Sequence, residues 1–184
     1  WVLAPFLAPL FAKAGATEFA SATYGVYSFF CHQLPQRSLF LFGDKPMYSL
    51  DEIKSVWTLD GFDGLRQFNG NATFGYKIAW SDRMISFYGS VWLGGLLFAL
   101  GRGRVQPLSL LAWIVIGVLP VGLDGATHFV NDIVAGTSGA GFRDTNAWLV
   151  ALTGNSLPSA FYAGDGFGSF NSWMRWITGI LFGV

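Results

Sequence analysis

The chain has 184 residues but only two histidines and one cysteine. Cys31 and His32 are neighbours, followed by Gln33, Gln36, Arg37 and Ser38, with aromatic and aliphatic residues crowding both sides. A polar cluster in so apolar a frame must be hydrogen-bonded or ligand-bound, because bare burial of a polar group costs roughly 2–7 kcal/mol. The second histidine lies in LDGATHFVND; on a helix, Asp124, His128 and Asp132 fall at i, i+4 and i+8 on one face. Three chemistries follow from these residue types. His32 or His128 can act as general acid or base, with Asp124 orienting the imidazole. Arg37, Arg83 and Arg175 can clamp a phosphate or carboxylate, with Cys31, Gln33 and Ser38 as further ligand contacts. His32, Asp124, His128 and Asp132 can together offer the nitrogen and oxygen donors that suit zinc or iron. The plainer alternative is a self-satisfied network of salt bridges and hydrogen bonds.

Composition places these residues. Hydrophobic residues make up 52% of the chain and charged residues 12%, against about 25% charged in an ordinary soluble domain. Aromatics at 17% fit membrane interfaces. The formal net charge is +0, so no basic face suggests a nucleic-acid partner. A single cysteine excludes an internal disulfide and a cysteine-only zinc site, and no cofactor motif is evident.

Two uncharged runs, 84–101 and 105–123, have the length of transmembrane helices. Gly89, Ser90, Gly94 and Gly95 give the first of them a small-residue face for close helix packing. Residues 1–12 read as the end of an earlier span and 174–184 as the start of a later one, as in a segment of a longer protein. The expected fold is therefore an all-α integral membrane protein with about four transmembrane helices, two complete and two partial. Segments 13–83 and 124–173 carry helical and irregular structure on the outer face. Within the first, 17–34 reads as an amphipathic helix through Phe19, Thr23, Tyr27, Phe30 and Leu34, with Cys31 and His32 on its last turn. Ser49 with Glu52 forms a capping-box pattern that starts a short helix at Leu50. DGFDG and NGN read as turns, and DGFDG lacks the ligands of a calcium loop. NAWLVALTG and NSWMRWITG echo one another, each expected to begin a helix with its asparagine as cap.

The linker between the two runs carries Arg102 and Arg104, so it is expected in the cytoplasm, with the protein in the cytoplasmic membrane. Both long segments then lie outside. Cys31, His32, Gln33, Arg37, Arg83, Asp124, His128, Asp132, Arg143, Asp144 and Arg175 gather at that one face.

CHQLPQRS, SDRMISFYG and LPVGLDGATH, in that order, resemble an uncharacterised family of small bacterial and archaeal integral membrane proteins, domain of unknown function twenty eighty-five. Cys31, His32, Gln33, Arg37 and Ser38 match its Cys-His-Gln and Arg-Ser pieces. Many members carry Cys-x-Arg-Cys where this chain reads Ser81-Asp82-Arg83-Met84. The resemblance implies a fold and a membrane location, with no established activity; any metal or redox site built on those cysteines is lost here.

The expected function is that of a non-catalytic accessory or structural subunit of a larger membrane complex, with the bilayer and other membrane subunits as partners. The alternatives are an outer-face enzyme acting on a lipid or isoprenoid phosphate, and a His/Asp metal-binding membrane protein. A transporter or channel is less supported, because the spans hold almost no charge at mid-membrane.

Overall fold

The computed structural model describes residues 1–101, 104 and 106–183. Arg102 and Gly103 of the expected inner linker lie outside that description. The architecture hangs on one continuous stretch: strand β3 (Gly75–Ser81) runs without a break into helix α5 (Asp82–Leu100). The β-rich sequence GYKIAW gives way at Ser81 to a residue series that suits a helix. Strand β3 is the middle of a small antiparallel sheet, with β1 (Ser38–Leu41) on one side and β2 (Gly70–Asn71) on the other. Ser38 pairs with Ser81, and Phe40 with Lys77, across a bulge.

This sheet corrects the all-α expectation. Strand β3 is buried along most of its length, and a strand covered on both faces shows no alternation of apolar and polar residues to read. Ile78, Ala79 and Trp80 belong to a core with Ala8 from α1 (Leu7–Lys13) and with Ala20, Tyr24 and Tyr27 from α2 (Thr17–Tyr27). Leu34, Phe40, Tyr48, Ile53, Leu65 and Phe68 form a second, aromatic core with α3 (Leu50–Val56) and α4 (Gly61–Arg66).

Helix α2 stops at Tyr27, short of the expected 17–34. Its buried face is Ala20, Tyr24 and Tyr27, whereas Phe19 is exposed. The Gln33 side-chain amide donates to the carbonyl of Tyr24 (2.8 Å), which also accepts from the Ser28 N–H (2.9 Å), and so ties the reversing chain back to the helix. Cys31 and His32 therefore lie in the turn beyond the helix. Ser49 and Glu52 form the full capping box of α3. DGFDG, expected as a turn, instead starts α4, with Asp60 in the cap position.

Among the described residues, two helices are long and apolar enough to cross a membrane, α5 and α6 (Leu110–Ala135). Helix α6 runs on past 123, so Asp124, His128 and Asp132 are helical. Ile114–Val118 form a π-helical segment within it. Pro120 cannot donate to a carbonyl one turn back, and a local widening of the helix accommodates it. Short helices α7 (Phe142–Thr145), α8 (Ala147–Thr153) and α9 (Ser159–Tyr162) follow. Helix α10 (Phe170–Phe182) then packs along α5.

Candidate functional site

Small residues bring α5 and α10 close. The Ser86 hydroxyl donates to Arg175 O (3.1 Å) and the Ser90 hydroxyl to Gly179 O (2.9 Å). A Cβ on Gly179 would lie 2.0 Å from the Ser86 hydroxyl, so only glycine fits there. Of the small residues expected to pack, Ser90 and Gly94 face α10, while Gly89 and Gly95 look into open space.

At one end of this pair, the first turn of α5, the last turns of α6 and the middle of α10 meet the 3₁₀ turn Pro35–Arg37 and α7. Four guanidinium groups and three carboxylates interlock there. Arg37 holds Asp132 with two bonds (2.8 and 2.6 Å). Arg175 Nε donates to both oxygens of Asp82 (2.7 and 2.8 Å). Asp124 accepts from Arg83 (2.6 Å) and from Arg143. Asp144 is held instead by Asn131 (3.1 Å) and the N–H of Gly141 (3.0 Å). Burial works against the charge of Arg37, but the bond to Asp132 and its charge outweigh it and hold the pKa above the ordinary value. For Arg143, burial wins over the pull of Asp124 and lowers it.

The network does not satisfy itself. Arg175 is 1% exposed, yet among the described residues its Nη1 and Nη2 have no partner. The Nε atoms of Arg83 and Arg143 and both ring nitrogens of His128 are also unpaired among the described residues. His128 Nε2 stands 3.9 Å from Asp124, beyond hydrogen-bond range. Buried donors without partners are uncommon in folded proteins and call for an explanation.

Beside Arg83 and Arg175, though not Arg143 or His128, lies a cavity of about 110 Å³, walled by Cys31, His32, Arg37, Arg83, Met84 and Arg175 together with Gln33 and Ser81. Three of the four guanidinium groups line it. The loop from Cys31 to Arg37 forms one side, and Gln33 on it adopts a left-handed backbone (φ 51°). The Cys31 sulfur accepts from the Gln33 N–H (3.3 Å) and lies 3.6 Å from the Ser81 hydroxyl. Cys31, Ser81 and Met84 share this cavity.

The structure sorts the predicted site residues. Cys31, His32, Gln33, Arg37, Arg83 and Arg175 reach the cavity. The side chain of Gln33 is engaged with α2, and its carbonyl accepts from Lys77 (3.0 Å). Ser38 is a buried sheet residue whose hydroxyl donates to Leu34 O (2.9 Å), and it is not among the residues lining the cavity. Asp124, His128 and Asp132 share a face, as their spacing predicts, but belong to the ion-pair network behind the cavity. His32 is exposed and joins no donor set with them; among the described residues no three His, Cys, Asp or Glu side chains are grouped to hold a metal ion. The expected asparagine caps are also corrected. Ser169 caps α10, while Asn171, inside the helix, donates to the carbonyls of Arg143 and Gly164 (2.5 and 2.7 Å). Asn146 precedes α8 but donates to Tyr162 O and Ala163 O rather than capping it.

Sequence reasoning missed Asp82, the buried partner of Arg175, and Asn131, which accepts from the Arg143 N–H (2.8 Å). Asp82 looks like an ordinary first-turn acid. Its signal was its place beside Arg83 at the start of an uncharged run.

No family profile matches this chain, and no solved structure matches it. It is similar to an uncharacterised protein of Methanocaldococcus jannaschii, 54% identical over 48 residues. That match covers 23% of this chain and 31% of the relative.

Proposed function

We propose that this is a multi-pass membrane protein whose arginine-lined cavity binds an anionic head group, phosphate or carboxylate, at one end of the spans. The observation that carries this is Arg175: a fully buried guanidinium held by Asp82 through Nε alone, with its other donors free among the described residues beside a cavity that Arg37 and Arg83 also line. A planar fork with two spare N–H groups suits a carboxylate or phosphate oxygen pair. Arg102 and Arg104 between the spans favour an orientation in the cytoplasmic membrane with the cavity outward. Cys31 and His32 on the cavity wall are the groups placed to act on a bound ester, so a lipid or isoprenoid phosphate is the substrate class if the site is catalytic.

The test compares inorganic phosphate binding by the wild-type protein and by the double variant Asp82→Asn/Arg175→Gln. That pair stays hydrogen-bonded without burying a lone charge, so the fold is expected to persist. Phosphate should raise the melting temperature of the wild type and leave the variant unmoved; equal responses would overturn the reading. A second reading, an accessory subunit of a larger complex, is favoured by the apolar surface of α6 at the cavity end, where Phe129, Val130, Ile133 and Val134 are exposed. Purification in mild detergent with stoichiometric partner chains would support it, and a lone monomer would count against it.

A further inference from the structure

The arginine cavity carries a thiol on its wall. Cys31 is half-buried there, and the exposed His32 stands beside it. The left-handed backbone at Gln33 (φ 51°) brings the Gln33 N–H to 3.3 Å from the Cys31 sulfur. The Ser81 hydroxyl, at the end of β3, lies 3.6 Å from the same sulfur. A loop and a strand end therefore fix the thiol in the cavity. The donors for a ligand come from the helices. Arg37 has both Nη atoms on Asp132. The oxygens of a bound phosphoryl group fall instead to Nη1 and Nη2 of Arg175 and to Nε of Arg83, all buried and without a partner among the described residues. At about 110 Å³ the cavity equals roughly four water molecules of about 30 Å³ each. That admits a phosphoryl group, while a longer organic part has to leave through the mouth, where His32 is exposed.

We propose that Cys31 is a catalytic nucleophile, whose sulfur attacks the phosphorus of a phosphate monoester held by Arg175 and Arg83. This rests on the anion-site reading and gives that site its reaction, hydrolysis of the monoester. The attacking form is the thiolate, so the thiol proton first passes to water. The sulfur then forms an S–P bond, and the ester P–O bond breaks with its electron pair on oxygen. His32, as the imidazolium, protonates that oxygen, and an alcohol leaves. In the second step water attacks the phosphorus and gives its proton to His32. The S–P bond breaks, returning the thiolate and inorganic phosphate. Besides the ester, only water is consumed. The guanidinium donors hold the charge on the phosphoryl oxygens through both steps.

A covalent step leaves a mark that can be read on the wild type itself. The protein in mild detergent is mixed with para-nitrophenyl phosphate, quenched in acid and mapped by peptide mass spectrometry. A phosphoryl group on Cys31 is expected, with nitrophenol released. Cys31→Ser and Cys31→Ala should still gain melting temperature from inorganic phosphate, while nitrophenol release falls at least about hundredfold. His32→Ala should keep the burst of nitrophenol, a leaving group that needs no proton, yet lose hydrolysis of butyl phosphate, whose alkoxide does. A wild type that binds inorganic phosphate but forms no adduct and releases no nitrophenol overturns the nucleophile and leaves the anion site standing. Unchanged release by both cysteine variants does the same. An adduct on Cys31 that persists in Asp82→Asn/Arg175→Gln overturns the anion site instead.

Discussion

Two buried cations, about equally removed from solvent, are treated in opposite ways. Lys77, in β3, is 0% exposed; its amine donates to the carbonyls of Gln33 and Arg66 and lies over the ring of Tyr24. Burial pulls its pKa down to about 7. A neutral amine has two N–H groups, and here two carbonyls take them. Arg175, with five N–H donors in a planar fork, is given a carboxylate on one edge only. The difference separates scaffold from site. The buried amine, with both donors of its neutral form used, ties the sheet to its loops; the buried guanidinium keeps donors without a partner among the described residues, beside a cavity.

The sharpest way to break this comparison is Arg175→Ala. It strands Asp82, itself 0% exposed, and should cost about 3–5 kcal/mol in thermal unfolding. Adding Asp82→Asn should restore much of that, and failure to do so would mean that Arg175 acts through something other than its ion pair. Lys77→Met should cost less, on the order of 1–3 kcal/mol, for two carbonyls left without a donor. Its pH behaviour is the better readout. A lysine whose folded pKa lies below its unfolded value contributes stability that is complete above about 10.4 and falls away as pH drops through about 7. The wild type should therefore gain melting temperature from pH 7 to 10 relative to Lys77→Met, and parallel curves would remove Lys77 from the comparison.

The smallest effect is expected at Asp165, whose carboxylate accepts from the Leu50 N–H (2.9 Å) at the start of α3. Burial pushes its pKa up to about 6. A raised carboxyl favours folding below its unfolded pKa of about 3.9 and loses that benefit as pH rises through about 6. Asp165→Asn keeps an acceptor for Leu50 and removes the charge. It should leave stability at pH 4 nearly unchanged and raise it modestly at pH 7, as read by melting temperature at the two values.

How much of this was legible in the sequence depends on the range of the interaction. The uncharged runs and the Ser49–Glu52 box are local, and they gave α5, most of α6 and α3. The i, i+4, i+8 spacing placed Asp124, His128 and Asp132 on one face, and the alternation of spans brought Arg37, Arg83 and Arg175 to one end. The sheet was not legible, because β3 is sealed on both faces and Ser38–Leu41 is too short to show a period. The end of α2 depends on Gln33 reaching back to Tyr24, a contact made only after the chain reverses. Asp82 required knowing that α10 would lay Arg175 against the start of α5. Likewise, Asn171 looked like a helix cap because its two carbonyl partners come from distant loops.

The π segment Ile114–Val118 has a consequence for how α6 is aimed. Each residue of an α-helix advances about 100° around the axis, and a π turn absorbs one extra residue without adding a full step of rise. It therefore preserves the phase of everything after it. Deleting one residue from 114–118 would restore even pitch and leave Asp124, His128 and Asp132 facing Arg83, Arg143 and Arg37, whereas a deletion between 119 and 123, past the π segment, would swing them about 100° away. A deletion before Leu110, ahead of the helix, would leave that phase untouched. The helix thus carries a spare residue half its length away from the charges.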